Sequence, residues 1–446
     1  MGLEFESNDW TEQTETQKEK IIQDIATQLS KQHPQLFSGN LKGFDPAPLV
    51  RQAVITRKDL AAGETEEVYQ AIMGQITGYG PLAEFFTGSD ALEVTEVMIN
   101  PTANGNKIFY GKHGRHWPTT KQYFKDAEEV TRFCQKICED AGRPFTVDSP
   151  IVDAWMKDGS RIAVMGFKAS PLGTAATIRK SPLVRPPMKL SKLVEYEMLP
   201  DFAVKLIVDL LVGGQANLAF CGRTDSGKTT FMRACGEFIN PEERVIVAET
   251  SYELAFPHLP NCINLVEVSY GNTVVVAMVD LCKTVNRNNP DRAMVGELRS
   301  SEIVAASQIA ASTSGGFWTS LHAGNVYDLR GRIHGMFFEG GMKLDKEFLD
   351  DKIRSMFNFV IFLDKDRNKK RTLMQIVEVT PEGYNSVIRF DTETYAKSQG
   401  KTRRWLYENT ISQDGLANLA FRGANITEDY EKIKNKFLYV GGESNA

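Results

Sequence analysis

The densest chemistry in this chain lies at Gly222-Arg223-Thr224-Asp225-Ser226-Gly227-Lys228-Thr229, which fits G-x-x-x-x-G-K-[ST]. An apolar run, 216–221, precedes it and reads as a strand; 228–238 follows and reads as a helix. In that setting, backbone N–H groups of the loop and the helix N-terminus face phosphate oxygens. Lys228 would neutralise the β- and γ-phosphates, and the Thr229 hydroxyl would ligate Mg2+. These residues, with Thr230, are the candidate nucleotide-binding set, and ATP and Mg2+ are the expected cofactors.

Three other segments place ionisable groups at the ends of apolar runs. Ala293-Met294-Val295-Gly296 leads into Glu297, a carboxylate suited to the water shell of Mg2+ or to an attacking water. Val245-Ile246-Val247-Ala248 leads into Glu249 and Glu253, and either could act as general base at one γ-phosphate. Phe317-Trp318-Thr319-Ser320-Leu321 leads into His322, which could sense that phosphate or align the water. Each alone reads as a solvated strand end or a structural histidine. The phosphate loop tips the balance, because strands of an open parallel sheet share one crevice at their C-terminal ends.

The surrounding elements supply such a sheet. Helix 191–213, strand 216–221, helix 228–238, strand 244–248, helix 273–285, strand 293–296, helix 300–311 and strand 317–321 alternate as in a parallel α/β fold. Runs 359–363, 373–379 and 387–390 are β-rich, and the polar tail from 391 shows one weak terminal helix. The N-terminal part is mixed α+β. Ile21, Ile22, Ile25 and Leu29 mark an amphipathic helix, 64–86 a helix broken at Gly78-Tyr79-Gly80-Pro81, and 97–100 with 107–110 a hairpin. Helix 126–141 and strands 162–167 and 175–178 follow, and Pro182, Pro186 and Pro187 mark a linker. The expected organisation is a helical extension 1–60, an α+β domain 61–180, a linker 181–190, an α/β domain 191–390 and a tail 391–446.

Composition narrows the function classes. The 446 residues are 42% hydrophobic and 24% charged, as in ordinary globular proteins. The net charge of -5 gives no general pull on nucleic acid or anionic lipid, and no clustered basic stripe stands out. The six cysteines include no C-x-x-C, and Cys134 and Cys138 are spaced to pack on one helix face. Residues 1–20 lack a signal-peptide pattern, and Lys205, Asp209 and Gly213-Gly214 interrupt the most apolar stretch, so a membrane role would be peripheral or through partners.

The phosphate loop, Thr250-Ser-Tyr-Glu253-Leu254, Pro290-Asp-Arg-Ala-Met-Val-Gly-Glu297-Leu-Arg299 and Thr319-Ser-Leu-His322-Ala323 occur in that order. They resemble the Walker A, Asp box, Walker B and His box of the type II/type IV secretion ATPase superfamily. Gly78-Tyr-Gly-Pro-Leu82, Val94-Thr-Glu-Val-Met-Ile-Asn100, Asp158-Gly-Ser-Arg161 and Thr177-Ile-Arg179-Lys180 resemble the N-terminal domain of the branch serving type IV secretion, conjugation and tight-adherence pili. The tetracysteine zinc motif of the type II secretion and pilus-extension branches is missing. The resemblance implies a RecA-like ATPase domain, a hexameric ring, and ATP between two domains of each subunit. It also implies that Arg161 and Arg179, and less closely Arg143, touch the nucleotide. Such a protein would be a cytoplasmic ATPase, peripheral at the inner membrane, partnered by membrane components of a secretion or pilus machine. A hydrolysis-poor assembly scaffold and, against the acidic balance, a nucleic-acid motor are the alternatives. Two residues depart from the family pattern: Asp225 stands where Gly is usual, and Thr250 where the Asp box carries its Asp. Asp225 is expected to repel a triphosphate unless it turns outward or pairs with Arg223.

Overall fold

In the computed structural model, described for residues 8–36, 46–61, 63–87, 90–112, 114–156, 158–181, 187–270, 273–313, 315–343, 345–366, 368–427 and 437–439, the chain divides into units Met1–Pro186 and Pro187–Ala446. Pro182 and Pro186 of the expected linker lie outside the described residues.

The first unit begins with α1 (Asn8–Gln32), α2 (Ala47–Ile55) and α3 (Thr65–Thr77). Ile21, Ile25 and Leu29 of α1 pack with Val50, Val54, Val68 and Ile72 into one small core. α3 stops at Gly78, whose φ of +81 is the left-handed C-cap that glycine adopts without strain. An antiparallel sheet follows, built from β1 (Val94–Thr102), β2 (Gly105–Lys112), β3 (Arg115–Pro118) and, after α4 (Ala127–Asp140), β4 (Ile151–Trp155), β5 (Arg161–Met165) and β6 (Ala175–Arg179). Its order is β3-β2-β1-β6-β5-β4. Asp126 caps α4 by accepting from the Glu129 N–H at 2.7 Å. Cys134 and Cys138 of α4 are buried free thiols in the core beneath the sheet, with Val97, Ile99, Ile162, Val164 and Ile178.

The second unit runs α5 (Leu190–Glu195), α6 (Asp201–Leu206) with a π-helical continuation Ile207–Val212, β7 (Leu218–Gly222), α7 (Lys228–Gly236), β8 (Val245–Glu249) and β9 (Cys262–Val266). It continues with β10 (Val268–Tyr270), β11 (Thr273–Val276), α8 (Met278–Asn286), β12 (Arg292–Val295), α9 (Ile303–Ser312), β13 (Phe317–Leu321), α10 (Val326–Glu339), α11 (Lys346–Met356), β14 (Phe359–Lys365), β15 (Arg371–Thr380) and β16 (Gly383–Phe390). It ends with α12 (Thr392–Lys397), β17 (Trp405–Tyr407), α13 (Gln413–Phe421) and β18 (Phe437–Leu438). One sheet takes the order β18-β17-β16-β15-β14-β7-β13-β12-β8-β9, parallel from β14 to β9 and antiparallel on the other side. Both faces of the parallel strands are covered. Leu218, Phe220, Val245 and Val247 enter one core, and Ala219, Cys221, Ile246 and Ala248 the other. That two-sided burial is why these strands read as unbroken apolar runs.

Three stretches differ from the sequence expectation, each for a physical reason. The helix expected over 191–213 is two helices, because Glu197 takes a left-handed φ of +53 just past α5 and Pro200, in an extended conformation, caps the start of α6. The start of the helix expected over 273–285 is instead β11, where Thr273-Val274-Val275-Val276 is a β-branched run that favours strand. The segment after 391 is no polar appendage: β17 and β18 extend the sheet, with Trp405 and Tyr407 buried and the Trp405 indole N–H donating to the Leu373 carbonyl at 2.7 Å. These strands are too short for periodicity to mark them.

Candidate functional site

Parallel pairing brings the separate motifs together. β7, β13, β12 and β8 point the same way, so the residues that leave each strand emerge on one edge of the sheet. β7 opens into the phosphate loop, β12 into Glu297, β13 into His322, and β8 ends on Glu249 with Glu253 beyond it.

Gly222 has no room for a side chain, since a Cβ would lie 2.3 Å from the Leu363 carbonyl oxygen of β14. Gly227 has a φ of +94 and is the N-cap of α7, with no side chain to satisfy the first amides of that helix. The Ser226 hydroxyl is buried and makes no hydrogen bond among the described residues. Uncapped amides beside an orphaned buried hydroxyl and a lysine suit an anion of phosphate type. Thr229 and Thr230 occupy the first turn of α7, half-buried, while Arg223 and Thr224 are exposed.

The Lys228 ammonium donates to the carbonyls of Gly222 at 2.9 Å and Arg223 at 3.2 Å, and lies 3.4 Å from His322 Nδ1. Burial pulls its pKa down, against the opposing pull of Glu297. His322 Nε2 lies 2.7 Å from Glu297 Oε1, and Glu297 Oε2 accepts from Arg299 at 2.6 Å. Burial and then the Lys228 charge hold His322 below its ordinary pKa, so the ring is neutral near pH 7. The ring therefore stands between the two, Nδ1 facing Lys228 and Nε2 facing Glu297. Lys228, His322, Glu297 and Arg299 thus form one chain of contacts, and the charge of Glu253 acts on both Lys228 and Arg299.

Glu249 and Glu253 separate in role. Glu249 turns inward and accepts the N–H of Leu254 at 3.0 Å and of Glu253 at 3.2 Å. Its Cγ would be 2.9 Å from a Cβ on Gly296. Glu249 therefore shapes the loop that carries Glu253 and is not a free base, which removes one of the two carboxylates considered for that task. Burial lifts its pKa to about 8 despite the two amides. Thr250 is exposed.

Asp225 is not an isolated charge, and its partner is not Arg223. Its carboxylate meets Lys365 at 2.9 Å and Arg371 at 2.5 Å, and Arg223 makes no ion pair among the described residues. Burial would raise the Asp225 pKa, but these two cations hold it below the usual range. The carboxylate expected from the sequence to stand bare unless turned outward or paired with Arg223 therefore has two other cationic partners. Lys365 and Arg371 were missed by sequence reasoning, although Lys365, Arg367, Lys369, Lys370 and Arg371 crowd one stretch. That run corrects the reading that no basic cluster exists.

In the first unit, Arg161 and Arg179 are cross-strand partners on β5 and β6. Both lie on the sheet face opposite the core, since Ile162, Val164 and Ile178 fill the inner face. Arg161 pairs with Asp153 at 3.1 Å, and Arg179 faces Glu96 at 3.9 Å. Tyr79 bonds Asp158 and lies 3.0 Å from the Ser160 hydroxyl, which accepts the Ser181 N–H at 2.9 Å. The Asp158-Gly-Ser turn is thereby fixed just ahead of Arg161. Arg143 stacks over Trp155 at 4.8 Å and donates to the Asp153 carbonyl.

The sequence model of the type II/IV secretion system protein family matches residues 158–440. This chain belongs to that family. The matched stretch takes in the Arg161 turn, Arg179, the phosphate loop and strands β7 to β18. The type IV secretion system protein VirB11 of Brucella suis is 31% identical over 53% of this chain and 71% of its own length. An uncharacterised protein of Methanocaldococcus jannaschii is 29% identical over 58% of this chain, and the chain spans 45% of that relative. Among solved structures, the Legionella pneumophila ATPase DotB aligns at 18% identity over 77% of this family member and 92% of DotB, with a TM-score of 0.47. The B. suis VirB11 ATPase in complex with sulphate aligns at 21% identity over 67% of this chain and 95% of that one, with a TM-score of 0.36. No helix among the described residues is long and apolar enough to cross a membrane.

Proposed function

We propose that this family member is an Mg2+-dependent ATPase that powers a bacterial secretion, conjugation or pilus machine. The observation that carries the proposal is the convergence of Lys228, His322 and Glu297 on the edge of the sheet where the phosphate loop opens. Gly222–Thr230 would hold the phosphates of ATP, and Thr229 and Glu297 would hold Mg2+, which supplies charge neutralisation at the transferring phosphoryl group. Glu253 and Glu297 are the groups to take a proton from or orient the attacking water, and His322 relays the state of the phosphate site to Glu297. Arg161 and Arg179 would act as transition-state cations toward the nucleotide, a role that the family resemblance implies.

The RecA-like fold of 191–390, a homohexameric ring, a peripheral cytoplasmic position at the inner membrane and membrane-embedded partners belong to the same proposal. Direct nucleic-acid binding does not, since Lys365, Lys370 and Arg371 of the basic run are paired with Asp225 and Glu197. A second reading, a hydrolysis-poor scaffold of the same machine, rests on Thr250 in place of the Asp-box acid. Steady-state phosphate release with Mg2+ and ATP decides between them. Turnover that Lys228→Ala abolishes supports the motor. ATP binding without turnover supports the scaffold, and turnover unchanged in Lys228→Ala refutes the assignment of the loop.

A further inference from the structure

We propose that Asp225 is a positioning residue that bridges Lys365 and Arg371 beside the phosphate loop, and that these two cations cancel its repulsion of the nucleotide's phosphates. The proposal rests on the nucleotide-binding reading above.

Residue 225 has a φ of +62, in the left-handed region where glycine is unstrained and aspartate is among the few other residues tolerated. β14 pairs with β7 so that Leu363 lies opposite Gly222, which carries Lys365 to the level of the loop. β15 then returns with Arg371 directly opposite Lys365. Like charges directly opposed across an antiparallel pair repel. The Asp225 carboxylate relieves that repulsion, with Oδ2 on the Lys365 ammonium at 2.9 Å and Oδ1 on Arg371 Nη2 at 2.5 Å.

The guanidinium also grips the backbone. Arg371 Nε donates to the Asp225 carbonyl at 3.2 Å, so one side chain holds both the carboxylate and the peptide of the left-handed residue. Its Cδ would lie 2.9 Å from a Cβ at Gly227, the N-cap of α7. The loop is thus held at residue 225 by one arginine, whose side chain also leaves no room for anything but glycine at 227. One carboxylate with two cations leaves a net positive charge beside the loop, and that sum explains how an acid can stand in a phosphate-binding motif.

The test is a titration of the full-length chain with a fluorescent ATP analogue and Mg2+. Arg371→Ala and Lys365→Ala/Arg371→Ala are each compared with and without Asp225→Asn, and circular dichroism reports folding. Loss of the cations is expected to weaken binding on the order of tenfold, because it leaves the carboxylate unpaired near the phosphates. Asp225→Asn in that background is expected to restore most of the loss, and on its own to change binding less than about twofold, because the cations already offset the carboxylate. Rescue is an outcome that neither a bracing role alone nor direct contact of the cations with ATP would produce. If Arg371→Ala does not fold, Arg371→Gln, which retains an amide donor, takes its place. Loss without rescue, or no loss, overturns the proposal, while binding abolished by Lys228→Ala would leave the nucleotide reading standing. A folded wild-type chain that binds no nucleotide overturns both.

Discussion

Glu249→Gln is expected to remove a pH dependence from the stability of the unit that carries the phosphate loop. The Glu249 carboxyl is 4% exposed, and burial lifts its pKa from 4.5 to about 8 against the opposing pull of the Leu254 and Glu253 amides. A raised carboxyl pKa means that the folded chain keeps a proton that the unfolded chain has already released. Below about pH 4.5 both states are protonated, and Glu249 adds no pH dependence. Between there and about pH 8 the folded state binds more protons, so stability falls as pH rises; above that the loss is complete. At about 1.36 kcal/mol per pH unit, a displacement of this size caps the loss at about 5 kcal/mol. The interval from pH 5 to 8.5 captures about 4 kcal/mol of that, and relaxation and water entry around the ionised group reduce it to about 2–3 kcal/mol. Glutamine retains a carbonyl oxygen for the two amides and does not ionise. Urea unfolding of wild type and variant at pH 5, 7 and 8.5 measures the effect, with wild type losing its relative advantage toward high pH. A stability difference that stays constant within about 0.5 kcal/mol over that range would refute the argument.

Glu297→Gln and Glu253→Gln are expected to keep ATP binding and lose about 10²–10⁴-fold in turnover, as for removal of a general base; loss of binding instead would make the residue structural. Arg161→Ala and Arg179→Ala are expected to lower kcat more than affinity while leaving the first unit folded, because each change removes one of two like charges directly opposed on β5 and β6. Normal hydrolysis by both variants, measured as phosphate release, would exclude them from the site. Trp405→Ala is expected to cost about 3–5 kcal/mol in denaturant unfolding, as for deletion of a large core side chain. A cost under about 1 kcal/mol would mean that β17 adds little to the second unit.

The legibility of each feature follows from the range of the interaction behind it. Local and periodic signals stood in the sequence itself. Two-sided burial wrote the parallel strands as apolar runs, glycines marked the loop where a Cβ or a negative φ cannot be accommodated, and ordered motifs marked Lys228, Glu253, Glu297 and His322. Relations between distant segments were set only by tertiary pairing. The register of β14 on β7 and of β15 on β14 brings Lys365 and Arg371 to Asp225, some 140 and 146 positions away. Nothing local in the sequence encodes that register, so Asp225 alone read as a repulsive charge. Glu249 and Glu253 looked equivalent by spacing, yet folding sends one carboxylate inward to its own loop amides and leaves the other at the strand ends. The same holds for Trp405 and Tyr407, whose short strand carries too few residues for a pattern and gains its place only from the neighbours that bury it.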